Sequence, residues 1–319
     1  MQNKNYFYPM PSATLLKHCF YFLFILIAVS CYSCKYKLNE LQNQASFKSV
    51  AGINYTEVRR SFESGLIFNQ YGYQLEPVWR MAFLSDKEAS VYDPDKKQFY
   101  KFEVTLDHDS IFNVSGTWLK ATSISKDSLK FQVLKVEGKT VYYVKSNVYM
   151  IFYADNYIKN ILHTTPEELR KPQRRDTLFA EKRIAKVNDS LDGTFSARTP
   201  PDLKSTSPRV SVVKEKVQAD IMNKFDKSDE YMYPEYTVTV NKAYEDFSYK
   251  IVAIVDTKGD MHFLWSLIAI MPEFKESTIH AIKGIIDGYL KTYVRVTPGT
   301  TLGIPHNCSV TLNLVGNKN

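Results

Sequence analysis

Apolar and polar positions alternate in short runs through much of the first half of the chain. Between residues 98 and 106, Tyr100, Phe102, Val104 and Leu106 are apolar, whereas Phe99, Lys101, Glu103 and Thr105 form a largely polar set. Successive side chains of a strand point to opposite faces, so this alternation predicts a strand with one buried face. Similar runs predict strands over 76–84, 89–93, 118–124, 128–136 and 147–154. Polar turn chemistry separates them at Asp93-Pro94-Asp95, at Ser125-Lys126-Asp127 and at Glu137-Gly138-Lys139. Short strands at regular spacing predict an antiparallel meander, either a small barrel or a curled sheet.

The period changes further on. Residues 157–171 predict a helix, with Thr165 as N-cap, Pro166 at the first helical position and Glu167-Glu168 at the positive end of the dipole. Apolar periodicity then fades, and the Pro, Ser, Thr and Asp content predicts a linker over 172–209. Residues 248–270 predict two strands around Asp256-Thr257-Lys258-Gly259, where Gly259 supplies the positive φ of a hairpin. Phe274, Ile279, Ile282, Ile286 and Leu290 then recur at helical steps. A final strand is predicted from Cys308, with Val310, Leu312 and Leu314 alternating against Ser309, Thr311 and Asn313. The fold class expected is α+β. A tether with a short helix (31–64) leads into an antiparallel β-rich domain (65–171), and a linker (172–209) into a small β-β-α-β domain (210–319).

The N-terminus carries a different signal. Residues 19–34 read CFYFLFILIAVSCYSC behind Lys4 and Lys17. At about 1.5 Å per residue a helix needs around 20 apolar residues to cross a bilayer core of about 30 Å. This run is shorter and is interrupted by Ser30 and Ser33. A basic leader, a compact apolar core and small residues at its end are the parts of a secretory signal over residues 1–30. The stretch Ala28-Val29-Ser30-Cys31 resembles the bacterial lipoprotein signal, in which a small residue precedes the cysteine that receives lipid. That resemblance implies lipidation at Cys31, with Cys34 as the second candidate. It also implies an outer-membrane anchor facing the periplasm, because Tyr32-Ser33-Cys34-Lys35 lacks the aspartate associated with inner-membrane retention. The alternative is an uncleaved inner-membrane anchor.

Composition narrows the function classes. With 44% hydrophobic and 24% charged residues, the chain has the means to bury cores. The formal charge of +7 is spread along it, and no basic stripe with stacking aromatics argues for nucleic acid. With Cys19 inside the signal and Cys31 the lipid candidate, the two remaining cysteines, Cys34 and Cys308, lie far apart and offer no CxxC or Cys/His spacing that would hold zinc. Asp107, His108 and Asp109 adjoin one another, but on a strand His108 would face away from both carboxylates; a polar turn is the expectation. His163, His262, His280 and His306 stand apart. No nucleophile elbow, P-loop or dinucleotide fingerprint occurs, so neither an enzyme nor a cofactor is expected.

The strand, strand, helix, strand order of residues 248–316 resembles the TonB C-terminal domain. The likeness rests on the Val-Asp-x-x-Gly turn, the Phe-x-x-Ser-x-Ile-x-x-Ile-Lys helix and the Pro-Gly-x-x-x-Gly-x-Pro approach to the last strand. It covers about a quarter of the chain and implies a periplasmic docking domain that receives a partner's extended segment on a strand edge. Cys308, Ser309, Val310, Thr311, Leu312, Asn313 and Leu314 are the candidate edge. The expectation is therefore a lipid-anchored envelope protein that docks another envelope protein. One alternative is a carrier of an apolar ligand among the aromatic strands. A second is an atypical energy transducer of the TonB type.

Overall fold

A computed structural model of the chain describes residues 45–138, 140–142, 146–191, 193–216 and 228–318. It is mostly β and divides into two compact units, Met1–Glu57 with Trp79–His163 and Val58–Val78 with Thr164–Asn319. Among the described residues no helix is long and apolar enough to cross a membrane.

In the first unit the meander closes. Strands β1 (Asn54–Phe62), β2 (Arg80–Phe83), β3 (Glu88–Asp93), β4 (Gln98–Leu106), β5 (Ile111–Val114), β6 (Thr117–Ile124) and β7 (Ser128–Val133) follow one another around a barrel. A small hairpin, β8 (Lys135–Glu137) and β9 (Thr140–Tyr142), stands apart before β10 (Val148–Ala154) returns between β7 and β1. The alternation on β4 holds, with Val104 buried and Phe99, Lys101, Glu103 and Thr105 exposed. Sequence leads one to expect a tether and short helix over 31–64. Instead, residues 54–62 of that span form the first barrel strand, and among its described residues only the short turn Lys48–Val50 is helical.

Side chains fill the barrel. Phe47 stacks on Phe83 with centroids 3.7 Å apart and meets Phe112 edge-on at 5.0 Å. Phe112 touches Phe131 at 5.1 Å, and Phe131 touches Phe152 at 5.5 Å. All five phenylalanines are inaccessible to solvent. The edge-on contacts are a favoured aromatic geometry, and the buried rings together make a core in its own right. Phe47 is held by its backbone N–H, which donates to Asp86 Oδ1 at 2.6 Å. Closure also leaves the barrel without an unpaired strand edge.

The second unit is built on a five-stranded mixed sheet in the order β12-β13-β19-β14-β15. These strands are β12 (Val210–Lys214), β13 (Glu235–Asn241), β14 (Phe247–Val255), β15 (Met261–Ser266) and β19 (Cys308–Asn317). Only the β13–β19 pair is parallel among the five. β11 (Asp202–Ser205) pairs with β16 (Val294–Thr297), and β17 (Thr300–Thr301) with β18 (Ile304–Pro305).

The predicted 157–171 helix is two helices, α1 (Asp155–Asn160) and α2 (Pro166–Arg170). Thr165 caps the second by accepting from the Glu168 N–H. The expected linker is a further difference. Residues 174–188 form helix α3 (Arg174–Asn188), which buries Asp176, Ala180, Ile184 and Val187 on one face. The short helix α4 (Asp229–Met232) precedes β13, and α5 (Lys275–Ile285) follows β15. The apolar stripe after β15 covers the sheet through Ile282, Ile286 and Leu290, all buried, where α5 passes into a π turn (Ile286–Leu290).

Candidate functional site

The sheet of the second unit ends on β15, and the hairpin that creates this edge is built by its own turn. The Asp256 N–H donates to the Asp260 carbonyl at 3.0 Å, and the Gly259 N–H to the Asp256 carbonyl at 3.0 Å. Asp256 Oδ1 accepts the Lys258 and Asp260 N–H groups at 2.8 and 2.9 Å. Gly259 lies at φ +88°, and a Cβ there would stand 2.6 Å from the Val296 carbonyl oxygen. Glycine is therefore required twice, by conformation and by close approach.

Among the described residues β15 pairs with β14 alone, and its register slips between Val252 and Ala253, so Leu264 is an extra residue. Such bulges bend a strand and re-aim its side chains. Beyond the bulge Trp265 is 50% exposed, and the chain leaves the sheet after Ser266. The Ser266 hydroxyl turns it, donating to the Ile268 carbonyl at 2.8 Å and accepting the Ile268 N–H at 3.2 Å. The following loop presents Leu267 (50% exposed), Ile268 (49%), Met271 (64%) and Phe274 (57%) to solvent. Exposed apolar residues are ordinary when scattered, but five within ten positions mark a contact surface. Phe274, the first member of the predicted helical stripe, belongs to this surface rather than to the core.

The expected edge lies elsewhere. Thr311, Leu312, Asn313 and Leu314 pair with β13 on one side and β14 on the other, so they are central. Cys308, Ser309 and Val310 pair with β14. The correction has a simple cause: alternating burial along β19 is the same for a central strand and an edge strand, and β13 comes from far upstream in the sequence. The two true edges of the sheet are β12 and β15.

Beside the start of β15 lies a cleft of about 180 Å³, lined by Gly259, Asp260, Met261 and His262 and, across from them, by Ile286, Asp287 and Lys291. Lys291 Nζ sits 3.5 Å from Asp260 Oδ1, and His262 Nε2 sits 3.1 Å from Asp256 Oδ2. Burial would raise the Asp256 pKa, but the hydrogen bonds from His262 and from the Lys258 and Asp260 backbone hold it below the usual carboxylate range. Asp256 with His262 and Asp260 with Lys291 are paired there, which suits a structural turn better than a catalytic base. Among the described residues no three His, Cys, Asp or Glu side chains converge to hold a metal.

The other residues singled out by sequence are dispersed. Asp107 and His108 do meet, Oδ1 to Nδ1 at 3.0 Å, because they occupy a surface turn after β4 rather than a strand. His306 is fully buried, with Nε2 3.0 Å from Thr301 Oγ1 and Nδ1 3.1 Å from the Asn307 carbonyl. Cys308 is a buried free thiol whose pKa burial pushes up to about 12. Cys31 and Cys34 lie outside the described residues. The His262–Asp256 pair and the β15 edge were not singled out by sequence, although the hairpin turn that brings them about was. A scan against protein-family models and a search of the curated proteins find no match to this chain.

Proposed function

We propose that this is a lipid-anchored envelope protein whose second unit docks an extended segment of another envelope protein by strand addition. The observation that carries the reading is the open long side of β15, the last strand of its sheet. An edge strand offers a row of N–H and C=O groups that an incoming strand can pair, and side-chain pockets beside it supply specificity. The barrel, being closed, has no such edge to offer.

The arrangement of β14, β15, the helix and β19 supports the likeness to the TonB C-terminal domain. In that comparison the last strand would receive the partner. Here β13 already lies parallel to β19 in that place, so docking passes to β15, and this weighs against an energy transducer of the usual kind. The continuous phenylalanine stack inside the barrel weighs against a carrier of an apolar ligand. The anchor reading rests on Cys31 and the apolar run before it; Cys31→Ser abolishing lipid labelling, with Cys34→Ser leaving it intact, is the expected outcome.

The docking test places a photo-reactive phenylalanine analogue at Leu264 on β15, at Val213 on β12, or at Thr311 on β19, in the full chain within its native envelope. Adducts of one discrete size from the Leu264 position, and none from Thr311, are expected. Equal adducts from all three positions, or none from Leu264, would sink the proposal.

A further inference from the structure

We infer that residues 267–274, the loop beyond β15, rest in the headgroup zone of a lipid bilayer, so that the β15 edge is presented at the membrane surface. This rests on the anchored reading above and deepens it, since the partner's segment must then lie next to the membrane.

Four observations converge on lipid. First, residues 263–272 read FLWSLIAIMP, ten positions without a formal charge. Trp265 stands at one end, a residue favoured at membrane interfaces because its ring is apolar and its N–H polar. Second, each backbone polar group bonded internally lowers the cost of approaching an apolar medium, and part of this loop's backbone is so bonded. The Leu267 N–H donates to the Lys250 carbonyl at 2.8 Å, Ser266 satisfies both backbone groups of Ile268, and the Phe274 N–H donates to the Met271 carbonyl at 3.0 Å.

Third, the exposed area suits a shallow insertion better than a dimer. Five large side chains at about half exposure present on the order of 500 Å², given about 150–250 Å² for a whole aromatic side chain. Two such patches face to face bury about 1,000 Å², below the roughly 1,200–2,000 Å² of a stable protein pair. Fourth, a bilayer is already the neighbour. Ala45 lies fourteen residues beyond Cys31, and an extended chain reaches at most about 3.6 Å per residue, or about 50 Å. An anchor that close keeps the local concentration of membrane high, so a modest apolar contact suffices.

The experiment uses the full chain, anchor included, reconstituted into vesicles of phosphatidylcholine and phosphatidylglycerol. Flotation reads the anchor. The emission of Trp265 is isolated as the difference between the chain and its Trp265→Phe variant, because Trp79 and Trp118 also emit. Lipids brominated on the acyl chains should quench that difference signal about twofold, as for a side chain seated roughly 5–10 Å into the interface, and aqueous acrylamide should lose access to it. Ile268→Asp with Met271→Asp should remove the lipid quenching while the chain still floats. If the chain floats but Trp265 stays open to acrylamide, the loop proposal falls and the anchor stands. Acrylamide protection that rises with protein concentration, without lipid quenching, assigns the loop to a second copy and overturns the proposal. A chain that does not float overturns both readings.

Discussion

Replacing Asp176 with Ala removes the anionic half of a buried ion pair and probes how the second unit is held together. Asp176 is inaccessible to solvent, and the Arg59 side chain is only 8% exposed. Arg59 Nη2 donates to the two Asp176 oxygens at 3.0 and 3.1 Å. The same carboxylate accepts the Ile67 N–H at 3.1 Å and the Gln173 N–H at 2.8 Å, closing the first turn of α3 against residues 59–67. Arg59 Nε already lacks a hydrogen-bond partner, and after the substitution Nη2 keeps the Gly65 carbonyl at 2.7 Å but the buried charge has lost its counter-ion.

Breaking such a pair from one side costs about 3–5 kcal/mol. Of the two N–H groups left without their acceptor, that of buried Ile67 adds to the same desolvation penalty, about 1–3 kcal/mol, whereas that of exposed Gln173 can turn to water. The second unit should therefore lose about 4 kcal/mol or more, a large part of the roughly 5–15 kcal/mol that holds an ordinary domain. Urea unfolding followed by far-UV circular dichroism reads this as a lower midpoint in one of two transitions. The double variant Arg59→Met with Asp176→Leu removes both charges, and paired apolar replacement of a buried ion pair is often neutral. It should recover all but about 1–3 kcal/mol, the share of the buried Ile67 N–H. A loss below about 1 kcal/mol for Asp176→Ala would place the pair in the class of solvated surface bridges and refute the reasoning. So would a double variant as unstable as the single one.

Three other outcomes follow from single sites. Burial draws the His306 pKa below its ordinary value near 6.5, against the opposing pull of its hydrogen bond to Asn307. The unfolded chain therefore binds this proton first on acidification, so the stability is full above about pH 6.5 and falls as pH drops toward the folded pKa; His306→Gln should flatten that slope between about pH 7 and 5.5. Gly259→Ala forces a side chain to φ +88° and against the Val296 carbonyl, so thermal melting should register a loss of about 3 kcal/mol. An unchanged midpoint there would mean the hairpin turn opens freely. Cys308, buried with its thiol pKa raised to about 12, should resist maleimide at pH 8 in the native protein and react after unfolding; prompt native labelling would contradict its burial.

Most strands of the barrel were legible because a half-buried strand writes its own period of two into the sequence, although the short β5 was not singled out. β1 was not, although it begins the barrel. Its residues NYTEVRRSF include Glu57 and Arg59, which the structure buries, so the inward face does not read as apolar. Helix α3 was hidden in the same way. Its buried positions, Asp176, Ala180, Ile184 and Val187, follow helical spacing, but the stripe opens with a carboxylate whose partner, Arg59, lies more than a hundred residues upstream. Local periodicity is visible in a single sequence, whereas the distant charge that makes a buried polar residue tolerable is not.

The position of the sheet edge follows from the same limit. Which strand lies beside β19 is decided by a parallel pairing with β13, and parallel neighbours are joined by long connections that leave no short-range mark. The loop after β15 shows the reverse case. Its uninterrupted apolar residues predict that the strand continues to Ile270, yet the strand stops at Ser266, whose hydroxyl takes both backbone groups of Ile268 and turns the chain away. Large apolar side chains are thereby left in solvent where local pattern calls for burial. A sequence that specifies its fold keeps those two levels in agreement, and natural proteins break the agreement where something other than folding is selected. At residues 265–274 the conflict coincides with an open strand edge, and that coincidence ties the loop and the edge to one task.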